Sequence, residues 1–179
     1  MNCSICQADY IPKHKTQTTC LHPICKVESK KQQAKARAER RELRARKEKI
    51  KTRSDWLREA QQAVNEYVRW RDRADPCISC GRYHNGQWHA GHYRTTKAAP
   101  ELRFTLLNIH KQCQPCNAHL SGNIVEYRIN LIRKIGVEWV EWLEGPHEPA
   151  KLTIEEIKAV RDAFRRRLRE EKRDEKEAA

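Results

Sequence analysis

Cys77 to Asn123 is the stretch that decides how this chain folds. It opens CISCG (77–81), passes through WHAGHY (88–93) and closes NIHKQCQPCNAHLSGN (108–123). Two Cys-x-x-Cys pairs, Cys77/Cys80 and Cys113/Cys116, enclose His89, His92 and His110, and Asn117 follows the last cysteine directly. Four thiolates at this spacing suit a tetrahedral structural zinc with no open coordination position. Gly81 fits the tight turn of a zinc knuckle. Residues 87–93 and 106–110 read as short strands. The segment 94–107, with Pro100 inside, reads as a loop of the kind that carries function on a scaffold. Helix begins from Cys116 onward.

On the N-terminal side, Cys3, Cys6, Cys20 and Cys25 make a second group of four, punctuated by Pro12 and Pro23. Residues 1–25 are therefore expected to form a small zinc ribbon; His14 or His22 could replace a thiol, but four thiols suffice. No apolar leader opens the chain and no run is long enough to span a bilayer. The expected setting is the reducing cytoplasm of a cell, where clustered cysteines bind metal rather than form disulfides. Residues 26–54 contain no Gly or Pro and are dominated by strong helix formers. They predict a basic helical arm with a thin apolar stripe, Leu43 and Ile50, able to track phosphates. Ser54 then reads as the N-cap of a helix, with Asp55 in its first turn. Trp56, Ala60, Val64, Tyr67 or Val68 and Arg71 fall near one face of it, and Asp75-Pro76 lies beyond its end.

On the C-terminal side, residues 123–135 predict a helix ending at Gly136. A shorter helix carries Trp139 and Trp142 and stops at Gly145-Pro146. Thr153 and Glu156 form a capping box for a last, highly charged helix. The organisation expected is a ribbon over 1–25, the arm over 26–54, and a principal domain over 55–179.

Lys and Arg number 37 against 24 Asp and Glu, a net charge of +13. That excess favours a polyanion, nucleic acid above all, as partner. With 38% hydrophobic and 34% charged residues, the core must be small, and zinc would substitute for missing apolar area.

The central stretch has the residues for phosphodiester hydrolysis. Neutral His92, after a glycine at a strand end, is the candidate base. Asn117 offers a hard oxygen for a divalent cation. Arg94, Lys97, Arg103 and Lys111 cluster around the site as candidate phosphate clamps. His110, next to a zinc cysteine, either supports the metal site or contacts phosphate. His84 and His147 read as surface residues. His92 and Asn117 are expected on opposite sides of one scissile phosphate.

The order C-x-x-C, G-H, C-x-x-C-N resembles the zinc-bearing HNH, or His-Me finger, nucleases. QQAVN, RDR, PCISCG, AGHYRTT, LRF, NIHKQC, CNxHxSGN and TIEE extend the likeness: over about residues 52–165 the chain resembles the NinG, or Rap, family of lambdoid phages. The resemblance implies an α+β fold, mainly helical, with a small ββα-metal core pinned by a four-cysteine zinc. It implies a phage-encoded endonuclease that cleaves Holliday junctions and related branched DNA with magnesium or manganese. His92 would be its general base and Asn117 the asparagine of the HNH pattern, with Cys77, Cys80, Cys113 and Cys116 on the structural zinc. Many such sites place an acidic metal ligand just before the base, and here that position is Gly91. His89, His119 or Glu126 are the candidates to replace it. Two symmetric cuts in a four-way junction imply a homodimer, joined through the Leu43/Ile50 helix or the Trp139/Trp142 segment. The rival expectation is a non-catalytic zinc-ribbon protein that binds DNA as a recombination accessory. A third is an HNH nuclease indifferent to branching.

Overall fold

The computed structural model describes residues 1–178. The chain divides into two compact units, Met1–Lys51 and Thr52–Ala179. The first unit holds residues 1–25 and most of the basic arm.

In the first unit, Cys3 and Cys6 form a turn closed by the Gln7 N–H donating to the Cys3 carbonyl, with Gln7 at φ 61°. A single bridge pairs Asn2 with Asp9. Helix α1 spans Pro23–Lys49. It starts earlier than expected because Pro23 sits at its first position, where a missing N–H costs nothing. That start places Cys25 in the first turn, and Cys25 is the only buried residue of α1. The rest of α1 is solvated, and so are Leu43 and, just past its end, Ile50.

In the second unit, α2 spans Arg53–Arg71. Its N-cap is Thr52, not Ser54. Thr52 and Asp55 stand three apart and satisfy each other's backbone N–H groups, whereas the residue three after Ser54 is Leu57, which has no acceptor. Trp56, Ala60, Ala63, Val64, Tyr67 and Val68 are buried. They face α5, Ile154–Ala178, which opens with the expected Thr153/Glu156 box. Burying each of the large side chains among these is worth about 1.5–3 kcal/mol.

Strands β1 (Trp88–His92) and β2 (Ile109–Cys113) pair antiparallel, with Gly91 opposite His110. Strand β2 begins three residues later than expected. Leu106–Asn108 is instead a single 3-10 turn leading into it. Ala90 and Ile109 pack with α2 and α5. On the other side lie α3 (Ile124–Ile135) and α4 (Val137–Glu144), joined at Gly136 with φ 90°. Tyr127, Leu131, Val140 and Leu143 form that second core with Tyr93 and Leu102. Trp139 and Trp142 stay half-exposed, edge to face at 6.1 Å. After Cys113 the chain makes one wide π-type turn, Pro115–His119, rather than an extended helix. It then reverses through Ser121, Gly122 and Asn123, all at positive φ. The fold is mainly helical with one small two-stranded sheet. Among the described residues no helix is long and apolar enough to cross a membrane.

Candidate metal centres and polar groove

The Sγ atoms of Cys3, Cys6, Cys20 and Cys25 lie within 4.8 Å of one another, and so do those of Cys77, Cys80, Cys113 and Cys116. A tetrahedron with Zn–S bonds of about 2.3 Å has an S···S edge of about 3.8 Å. Cys6 and Cys20 stand 3.8 Å apart, and Cys80 and Cys113 3.9 Å apart. Both donor sets therefore fit zinc. The thiols divide in the way a dication would resolve. Cys3 is lowered to about 6, first by backbone N–H groups from Cys6 and Cys20. Burial raises Cys25 to about 12, and burial likewise raises Cys113 and Cys116. Burial opposes the Cys77 thiolate too, but N–H groups of Cys113, Cys80 and Ser79 outweigh it and lower its pKa. Several buried thiolates in one place need a cation between them. His84 is no ordinary surface residue: its Nε2 lies 3.3 Å from Cys80 Sγ.

The central cluster joins the 77–80 turn, the end of β2 and the Pro115–His119 turn, and Trp88 of β1 packs against it. His92 closes β1. Its Nε2 lies 3.0 Å from the Arg103 carbonyl, which only accepts, so the neutral ring carries its proton on Nε2 and leaves Nδ1 bare. Burial holds its pKa below 6.5; the Arg103 carbonyl works the other way. The ring is therefore neutral near pH 7. Asn108, fully buried, holds the loop that supplies this carbonyl. It accepts from the Arg94 N–H at 2.7 Å and donates to the carbonyls of Arg94 and Leu102.

Asn117 does not meet His92. Its Nδ2 lies 2.8 Å from His89 Nδ1. Its Oδ1 faces the backbone of Gly91, one residue from His92: a Cβ added to Gly91 would stand 3.1 Å from Asn117 Oδ1 and would overlap Gln112 Oε1. Asn117 thus pairs with His89, on the same strand as His92. His119 and Glu126 are both exposed. Among the described residues, only the two four-cysteine groups gather three or more His, Cys, Asp or Glu side chains about one point.

The expected phosphate clamps separate. Arg103 lines a cavity of about 480 Å3 together with Arg58, Gln61, Gln62, Asn65 and Arg69. Asn65 and Arg69 also line a neighbouring cavity of about 520 Å3 with His89 and Asn117. The two form one groove along the polar side of α2, and Gln61 Nε2 lies 3.5 Å from His92 Nε2 beside it. Lys97 is largely exposed in the loop. Lys111 is 5% exposed; its Nζ donates to the Arg73 carbonyl and lies 4.2 Å over Trp88. Arg94 donates to the carbonyls of Leu143 and Glu144 at the end of α4, where a cation complements the helix dipole. These two serve the fold because a closer partner than solvent takes each charge. His110 is likewise buried, against Asp72 and Arg71 and out of reach of phosphate. Burial raises Asp72, but Arg71, His110 and the Lys111 N–H overcome it and hold the carboxylate far below its usual range. The sequence reading missed Arg58, Gln61, Asn65 and Arg69. Their spacing on α2, at i, i+3, i+7 and i+11, was the signal.

The features define a class: a mainly helical protein with two four-cysteine clusters able to hold metal, and a cationic groove near a partly buried neutral histidine. The family model described as "Bacteriophage Lambda NinG protein" matches residues 1–175. Over 137 residues the chain is 52% identical to Protein ninG of Escherichia phage lambda, covering 76% of this chain and 67% of that protein. It is 50% identical over 137 residues to Protein ninG of Salmonella phage P22, covering 76% and 68%. No solved structure gives a significant match. The chain belongs to the NinG family.

Proposed function

We propose that this protein is a metal-dependent endonuclease that hydrolyses phosphodiesters in Holliday junctions and related branched DNA. The observation that carries this reading is His92: a neutral imidazole, anchored through Nε2–H to the Arg103 carbonyl and 3.5 Å from Gln61, which lines a groove with Arg58, Arg69 and Arg103. Nδ1 takes a proton from water as its oxygen attacks phosphorus, and Nε2–H keeps its bond to the carbonyl as the ring becomes charged. The arginines neutralise the phosphate and fix its register. The bond to the 3′ oxygen breaks, and that oxygen receives a proton from solvent. Magnesium or manganese, when bound at the Asn117 carboxamide, would supply charge neutralisation at the phosphate and leaving oxygen. His89 orients that carboxamide through Nδ1. The zinc centres hold structure and take no part in bond breaking. The protein acts as a homodimer, since two related cuts resolve a junction, in the cytoplasm of the bacterial host. A basic α1 tracks phosphates outside the site.

The test is a labelled four-way junction incubated with magnesium and either wild type or His92→Ala. The reading requires equal binding, equal zinc content, and a loss of cutting of about 10²–10⁴-fold in the variant. Equal cutting by both sinks it, and wild type that cuts linear duplex as readily as junctions removes the branch preference. A second reading, a non-catalytic DNA-binding recombination accessory, is favoured by one observation: no Asp or Glu is among the residues lining either part of the groove, although hard cations favour carboxylates. Under it, wild type binds junctions and cuts none.

A further inference from the structure

The four sulfurs of the central cluster are not embedded alike. Cys77, Cys113 and Cys116 are buried, and Cys80 is half-exposed. Four thiolates on one dication leave two negative charges unneutralised, so each sulfur gains from an N–H donor. Cys77 Sγ accepts from the Cys113 N–H at 3.3 Å, the Cys116 N–H bonds Cys113, and Asn123 Nδ2 lies 3.9 Å from Cys116 Sγ. Beside Cys80 stands His84, with Nε2 3.3 Å from Sγ. A metal-bound thiolate carries no proton, so in that state the imidazole nitrogen is the one that donates. His84 lies in the loop between the 77–80 turn and β1. Its ring stands edge to face with Trp88, centroids 5.8 Å apart. Trp88 in turn packs against the cysteines and carries Lys111 Nζ 4.2 Å over its ring. The residue that covers the cluster thus also holds the imidazole. The four sulfurs gather within 4.8 Å of one another without His84, so the tetrahedral donor set is complete and the histidine lies outside it.

We infer that His84 is a positioning residue of the central metal centre: its Nε2–H donates to the Cys80 thiolate and closes the side of the cluster nearest solvent. The bond holds Cys80 on the metal and keeps its sulfur from competing ligands, so it slows metal loss. Outer partners of this kind are worth about 10–100-fold in metal affinity. The inference concerns the structural metal and is independent of whether the protein cuts DNA.

The test uses full-length protein loaded with an NMR-active cadmium isotope in place of zinc. A scalar coupling between the cadmium of the central cluster and the His84 ring proton on Nε2, relayed through Cys80 Sγ, is the expected result. Direct coupling of cadmium to Nε2 overturns the inference, because His84 would then be a ligand. No coupling to the ring overturns it as well. In competition with a chelator, His84→Ala should weaken zinc at the central cluster about 10–100-fold and leave the cluster of Cys3, Cys6, Cys20 and Cys25 at wild-type affinity. His84→Gln, whose amide N–H can donate in its place, should recover most of the loss. Equal affinity in wild type and His84→Ala overturns the inference, and so does a Gln variant as weak as the Ala variant. If the variants do not fold, the cadmium spectrum of wild type decides alone. None of these readouts involves DNA, so a protein that cuts no junction leaves the inference standing.

Discussion

The two cysteine clusters use identical donors and are embedded in opposite ways. Around Cys3, Cys6, Cys20 and Cys25 there is one short turn, one bridge and the start of a solvated helix; Cys6 itself is exposed. Around Cys77, Cys80, Cys113 and Cys116 there are two strands, a packed Trp88 and cores on both sides of the sheet. In the first cluster a bound metal would substitute for a core. In the second it would pin a core that apolar burial already favours, and tie the end of β2 to the turn that carries Asn117. Under the proposed function the first unit would supply affinity and the second geometry.

That contrast is open to attack at several points. Removing a ligand of the central cluster should do most damage, since structural zinc contributes about 10–16 kcal/mol of apparent free energy. Cys116→Ser is expected to hold one zinc per chain and to lose the main calorimetric transition. Cys3→Ser is expected to hold one zinc and to keep that transition. Equal loss in both variants would erase the distinction. Asn108→Leu strands the Arg94 N–H and the carbonyls of Arg94 and Leu102, and should cost about 3 kcal/mol in denaturant unfolding. It should also slow cutting, because the Arg103 carbonyl then no longer holds His92.

The pH dependence follows from His92. Its folded pKa lies below 6.5, so its share of stability is complete above about 6.5 and is lost as pH falls toward the folded value. Burial of His110 acts in the same direction. Cutting should be level above pH 6.5 and fall about tenfold per unit once His92 is protonated. An acid limb above 6.5 would point to another base. The smallest effect belongs to the arm. Replacing Lys30, Lys31 and Lys35 with Gln should reduce the salt dependence of junction binding by about 0.9 per lost phosphate contact and leave single-turnover cutting unchanged at saturation.

Much of this was legible in the sequence because the signals were local. The cysteine spacings gave both clusters, Thr153 and Glu156 a helix start, and Gly136 a helix end. The apolar stripe from Trp56 to Val68 gave the buried face of α2. Strand β2 was misplaced for a physical reason. Leu106 and Leu107 look like a strand, yet Ile109–Cys113 is wholly buried while reading I-H-K-Q-C. His110, Lys111 and Gln112 are buried through Asp72, the Arg73 carbonyl, Ser79 and Gly122, partners that no periodicity reveals. The same long-range bonding removed Arg94 and Lys111 from the groove. The other face of α2 was polar in a regular way and could have been read as a wall.

The tautomer of His92 can be observed without DNA or a second metal. A long-range proton–nitrogen correlation spectrum of zinc-loaded protein at about pH 7.5, well above the ordinary histidine range, should show the His92 ring neutral, protonated at Nε2 and bare at Nδ1. A charged ring, or one protonated at Nδ1 alone, would contradict the assignment of this histidine as the base.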